Sequence, residues 1–183
     1  MLDYYVFNKH TKMNKIKIYR KKGFVKDKET GEEKYDFLVP MPAYDYASVG
    51  DWIDLFAAED VKLKAGEFKI IDLGVAIEKP AHYEAQIVAR SSMPKNFGCM
   101  IANSIGVIDQ PYEGLKDWWK APLLAFRDTE IKRGDRICQF RLQLSQKAPF
   151  YAKIKWLFSN RAKIVEVDNL SKPSRGGLGT SGK

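Results

Sequence analysis

Apolar side chains recur at every second position in one segment after another, and that period limits what the chain can become. In Arg136–Leu144, Cys138, Phe140, Leu142 and Leu144 fall on one side, while Gln139, Arg141 and Gln143 fall on the other. Successive side chains of a β-strand alternate faces, so the segment reads as a strand with one buried face. Residues 67–78 alternate too, through Phe68 and Ile70, then Ile71, Leu73, Val75 and Ile77; the phase shift at Ile70-Ile71 suggests a bulge. Residues 15–19, 83–90, 123–127 and 163–167 are also strand-like. Turn formers separate the runs at Lys64-Ala65-Gly66, Lys79-Pro80 and Lys132-Arg133-Gly134-Asp135. No segment sustains a helical stripe. Short strands at such spacing predict an all-β sandwich or barrel. One short helix is expected after residues 83–90, where Ser92 can cap and Pro94 stands in the first turn. Its first turn would offer free backbone N–H groups to a phosphate.

With 183 residues, 45% of them hydrophobic, the chain can fill one core and is short for two domains. The N-terminus has no apolar stretch of signal-peptide length, so the expected location is cytoplasmic, the host cytoplasm if a phage encodes it. Only Cys99 and Cys138 are present, in no metal-ligand spacing, and they read as reduced, structural thiols. The net charge is +8, and residues 1–35 carry +5 of it. A basic balance suits an anionic partner, but composition alone favours a solvated surface.

Residues 1–14 read as a flexible leader and residues 15–170 as a single β-domain. Within that domain, 23–34 is a charged hairpin tip or surface loop, and 145–160 is an aromatic, basic insertion. The insertion packs on the domain, on a neighbour or on a regulatory protein. Residues 171–183, rich in Gly and Ser, read as a mobile arm. The arm nearly spells a phosphate-binding GxxxxGK loop, but it lacks the following Ser/Thr, and no helix follows to seat the phosphates, so a P-loop NTPase is set aside. Glycines with Arg175 can still fold over a polyphosphate. Asp109, after the apolar pair Val107-Ile108, can hold a water molecule or simply begin a turn.

Five segments, in order, resemble the motifs of the trimeric dUTPase family, most closely its phage and prophage branch. They are Ala47-Ser48-Val49-Gly50-Asp51-Trp52-Ile53-Asp54-Leu55; Arg90-Ser91-Ser92; residues 106–114 as GVIDQPYEG; residues 134–139 as GDRICQ; and residues 175–182 as RGGLGTSG. The resemblance implies a homotrimeric β-jelly-roll. It implies hydrolysis of dUTP to dUMP and pyrophosphate with Mg²⁺, which keeps uracil out of DNA and supplies dUMP for dTMP synthesis. Asp109 would direct water at the α-phosphorus. Asn103, Gly106, Val107 and Ile108 would fit uracil, and Tyr112 would pack on the deoxyribose. Arg90, Ser91, Ser92 and Gln139 would contact phosphates. Arg175, Gly176, Gly177, Leu178, Gly179, Thr180 and Ser181 would close over them. Asp54 would meet Mg²⁺ through water. Motifs one, two and four would come from one chain, three from a second and five from a third.

Three features depart from the family pattern. Leu178 stands where the fifth motif usually has an aromatic that stacks on uracil; Phe97 is the substitute lid candidate, or else a core side chain, with Trp118 and Trp119 next. Motif one lacks the usual small residues before Asp54. His82 stands at a turn-glycine position, and both it and His10 read as surface residues. The rival readings are a dCTP deaminase (or bifunctional deaminase) of the same fold and a nucleotide-gated regulatory protein. Nucleic-acid and membrane partners are not expected.

Overall fold

The alternating segments become strands, and their buried positions meet in one core. The computed structural model describes residues 14–27, 30–43, 51–158 and 162–176. A four-stranded antiparallel sheet carries most of the motif residues. Its order is β10 (Gly106–Ile108), β8 (Tyr83–Ala89), β13 (Arg136–Leu144), β4 (Ile53–Phe56). Phe140, Ile87, Ile53 and Leu55 turn inward from it. The opposing core side chains come from two three-stranded sheets. The first joins β14 (Lys163–Glu166), β1 (Lys15–Arg20) and β7 (Val75–Glu78); the second joins β6 (Phe68–Asp72), β11 (Lys120–Ala125) and β9 (Cys99–Ile101). Ile16, Ile18, Ile77, Ile71 and Leu123 are fully buried there. β5 (Val61–Leu63) pairs with β12 (Thr129–Ile131), and β2 (Lys22–Lys26) with β3 (Glu33–Phe37). The β2–β3 pair brackets the charged stretch 23–34, which the sequence reads as a hairpin tip or surface loop.

The phase shift at Ile70-Ile71 is not a bulge. Pairing of β6 with β11 runs unbroken from Phe68 to Asp72. Phe68 and Ile70 are exposed, and only Ile71 faces the core. The direction changes at Gly74, which takes φ +66° between β6 and β7, a conformation that suits glycine. The register does shift within β13, between Arg136 and Cys138 opposite β4.

β11 runs over Lys120–Ala125 rather than 123–127, with Pro122 inside it. The Pro122 carbonyl accepts from Ala102 N just beyond the end of β9, so the missing proline N–H costs the ladder at that end only. Helix α1 (Met93–Phe97) is where the sequence places it. Ser92 is its N-cap residue, but its hydroxyl makes no capping bond, and Gly98 ends the helix at φ +56°. A second helix, α2 (Phe150–Leu157), forms within the 145–160 stretch. His82, at φ +70°, meets it through a 2.9 Å hydrogen bond between Nε2 and the Tyr151 hydroxyl. Cys99 and Cys138 are buried free thiols; burial pushes Cys138 up to about 12.

Candidate active site

Registry across the main sheet gathers residues that are far apart in sequence. Gln139 of β13 lies opposite Asp54 of β4 on one side and Val88 of β8 on the other. Opposite residues of an antiparallel pair share a face, so Asp54 and Gln139 stand together, on the face away from Phe140. Arg90 follows β8 and places its Nε 2.9 Å from Asp54 Oδ1, while an Arg136 guanidinium nitrogen lies 3.2 Å from Oδ2. Ser91 and Ser92 lead from Arg90 into α1. One carboxylate is thus held between two guanidiniums, beside an amide and two hydroxyl residues. Arginine forks and hydroxyls of this kind suit phosphate oxygens.

Asp109 belongs to a different neighbourhood. β10 pairs with β8 and is the edge of its sheet, so the outer N–H and C=O groups of Gly106–Ile108 are unpaired within the sheet. The Gly106 Cα approaches β8 closely: an added Cβ would lie 3.2 Å from that of Ile87. After β10 the chain turns at Asp109-Gln110-Pro111-Tyr112, where Tyr112 N donates to the Asp109 carbonyl at 3.1 Å. The Tyr112 ring is half-buried, and its hydroxyl donates to the Trp118 carbonyl at 3.0 Å. Burial pushes the phenol up, and the charges of Asp117 and Asp72 add to the effect. Beneath the turn the buried Lys79 donates to the Tyr112 carbonyl at 2.8 Å. Burial pulls the Lys79 ammonium down to about 8, against the attraction of Glu113, Asp117 and Asp109. Asp109 itself is exposed and accepts from an Arg175 guanidinium nitrogen at 2.9 Å.

The two neighbourhoods lie at opposite ends of β8. Ile108 is level with Ala85, and Arg90 lies just past the far end, so about 16 Å of strand separates them at 3.3 Å per residue. Arg175 joins Asp109 of its own chain, whereas the resemblance assigns the arm to a site on other chains. Asn103 is exposed in the turn before β10. Phe97 is half-buried and packs against the core edge. Trp119 is fully buried, edge-on to Phe140 with ring centroids 5.0 Å apart, and is therefore no lid. Trp118 packs against Tyr19 at 5.7 Å. His10, the segment Ala47-Ser48-Val49-Gly50 and the arm residues Gly177, Leu178, Gly179, Thr180 and Ser181 lie outside the described residues. Three side chains were not singled out from the sequence: Arg136, Lys79 and Asp117. Arg136 sits inside the fourth motif and was within reach of that reading. Lys79 and Asp117 carry no local signal, because their importance comes from being buried.

Fold and site together define an all-β protein with Asp54 held by two arginines at one end of its main sheet and an exposed acid on the turn after an edge strand at the other. Residues 41–156 match the dUTPase family. A prophage-derived deoxyuridine 5'-triphosphate nucleotidohydrolase of Bacillus subtilis is 50% identical over 133 residues, 73% of this chain and 84% of that protein. The crystal structure of a Streptococcus mutans dUTPase aligns at a TM-score of 0.54 and 23% identity, covering 59% of this chain and 88% of that one. A point-mutant dUTPase from phage phi11 of S. aureus, described as coordinating a structural Mg(II) ion, aligns at a TM-score of 0.52 and 18% identity, covering 62% of this chain and 88% of that one. The chain belongs to the dUTPase family, with the all-β jelly-roll fold of its structural neighbours.

Proposed function

We propose that the chain is a dUTP diphosphatase that hydrolyses dUTP to dUMP and pyrophosphate, with water attacking the α-phosphorus under the direction of Asp109. Family membership carries the reaction. The observation that carries the site is an exposed carboxylate on the turn that follows an open sheet edge. The unpaired backbone of Gly106–Ile108 can pair with the polar edge of uracil, and a close fit of that strand against the base leaves little room for a 5-methyl group. Tyr112, fixed through its hydroxyl and backbone carbonyl, takes the deoxyribose face and leaves no space for a 2′-hydroxyl. Arg90, Gln139, Ser91 and Ser92 hold the phosphate chain, joined by Arg136. Arg175 and the arm beyond it close over it. Catalysis is then mainly positioning and charge neutralisation.

A divalent cation, Mg²⁺ in our reading, fits the donor set. Among the described residues no group of three or more His, Cys, Asp or Glu side chains converges on a metal-sized site. Mg²⁺ commonly takes its oxygens from substrate phosphates and water, with only one or two carboxylates. Asp54, whose two oxygens meet Arg90 and Arg136, would supply one carboxylate through water. Bound there, the ion would neutralise triphosphate charge.

The gap along β8 supports a shared site. One chain's Asp109 is too far from its own Arg90 and Gln139 to act on a phosphate they hold, so we propose a C3 trimer in which the hairpin of one chain meets the cluster of the next. Among the described residues no helix is long and apolar enough to cross a membrane. Phe97 remains our choice for the uracil lid; Phe97→Ala should raise KM for dUTP, and unchanged kinetics would exclude it.

Pyrophosphate release measured across dUTP, UTP, dTTP and dCTP tests the whole reading. Turnover should be confined to dUTP, and Asp109→Asn should bind dUTP but lose at least about 10²-fold in rate, the scale of losing a positioned base. Ammonia released from dCTP would point to the deaminase instead.

A further inference from the structure

We propose that Asp117 is the positioning residue for the C-terminal arm: its buried carboxylate grips the arm's backbone and so delivers Arg175 to Asp109. The proposal rests on the dUTP-hydrolysis reading and adds to it a residue outside the five motifs. Asp117 is 0% exposed. Its carboxylate accepts from Gly114 N at 2.8 Å, from Arg175 N at 2.9 and 3.0 Å, and from Gly176 N at 3.2 Å. Two of these three donors belong to the arm. A buried carboxylate is tolerable only when its lone pairs are filled, so docking of the arm and burial of Asp117 depend on each other.

Neighbouring contacts fix the same path. Ser174 Oγ accepts from Lys116 N at 2.9 Å, and upstream the buried Glu78 accepts from both the Ser171 N–H and its hydroxyl, at 3.1 and 2.8 Å. Gly114 lies so close beneath the arm that a Cβ there would come within 2.4 Å of Ser174 backbone atoms. Because Asp117 holds peptide N–H groups, the Arg175 side chain stays free to reach Asp109. Asn at position 117 would turn an NH₂ toward peptide donors and lose half of the grip.

Amide hydrogen exchange on the full chain, paired with dUTP kinetics, tests this. In the wild type the Arg175 and Gly176 amides should be protected. Asp117→Asn should speed their exchange by about tenfold or more, the worth of a hydrogen bond to a charged group. Gly114→Ala provides a check independent of core charge, because the atoms its Cβ would strike are arm backbone. It should raise exchange at 175 and 176 while core strands exchange as before. In both variants kcat should fall by more than KM rises. Unprotected wild-type amides at 175 and 176, or a Gly114→Ala variant with wild-type exchange and kcat, would overturn the proposal. A wild-type protein that leaves dUTP intact would sink the underlying reading instead, with the exchange data still deciding the latch.

Discussion

Lys79 shows how one buried charge links the fold to the hairpin. It lies 4% exposed beneath the turn that carries Asp109, bonded to the Tyr112 carbonyl. Burial lowers it from 10.5 to about 8 in the folded state. Between those two values the unfolded chain holds a proton that the folded chain has released, so this group makes stability rise as pH increases from about 8 to about 10.5. Across that window the melting temperature of wild type should climb relative to Lys79→Met, by an amount corresponding to roughly 2–4 kcal/mol. A pH-independent difference between the two would mean the ammonium is not desolvated. The thiols offer a simpler check. Both are buried, and burial raises both, Cys138 to about 12, so neither should react with a thiol reagent at pH 8 until the protein unfolds. Prompt modification of the native protein would contradict that. At this scale the sequence disclosed what is written locally. Asp109, Tyr112 and Arg175 could be named as candidates because they sit in ordered motifs. Lys79 and Asp117 were not, because a lysine after a strand and an aspartate in a loop look solvated until the chain closes over them.

Strand periodicity was legible wherever one face is buried and the other wet, as in β13 and β8, since alternation is then imposed residue by residue. It misled in β6. There Phe68 and Ile70 are apolar and exposed, so composition on the outer face imitated a phase shift. It also placed β11 too late, because a proline argues against a strand unless its missing N–H falls where the neighbouring strand has ended, and that fact is tertiary. Helix α2 went unread because its only buried side chain is Ala152, and a stripe one small residue wide leaves no periodic trace. For α1 the end is more telling than the start. Gly98 holds φ +56°, and a Cβ there would fall within 2.7 Å of three Arg127 side-chain atoms. That guanidinium donates to the Lys95 carbonyl at 2.6 Å, in the helix's last turn. Gly98→Ala should therefore cost about 1–2 kcal/mol for the left-handed backbone alone, and more if Arg127 is displaced. Urea unfolding would register this as a lower midpoint with an unchanged slope. A midpoint equal to wild type would mean the helix does not end this way.

Across the molecule, the question is which chain supplies which part of a site. The length of β8 separates Asp109 from the Arg90–Gln139 cluster, while the latch at Asp117 keeps Arg175 on Asp109 of its own chain. These two facts make different predictions for mixed assemblies. Take Asp109→Asn and Arg90→Ala, each inactive alone, unfolded and reassembled together. If the hairpin of one chain serves the cluster of the next, a site is whole when the first chain has its Asp109 and the second its Arg90. Random 1:1 mixing in a closed trimer then restores about a quarter of the wild-type rate. Now take Asp109→Asn with Arg175→Ala. With the arm latched to its own hairpin, each site needs both residues from the same chain, and no mixture restores activity. An arm that crossed to a third chain, as the family resemblance implies, would again restore about a quarter. Native mass spectrometry with one variant isotopically labelled must show that mixed trimers form in both experiments. Recovery in the first mixture and silence in the second is the pattern these contacts require. Silence in the first would return the whole site to a single chain and leave the separation along β8 without a function.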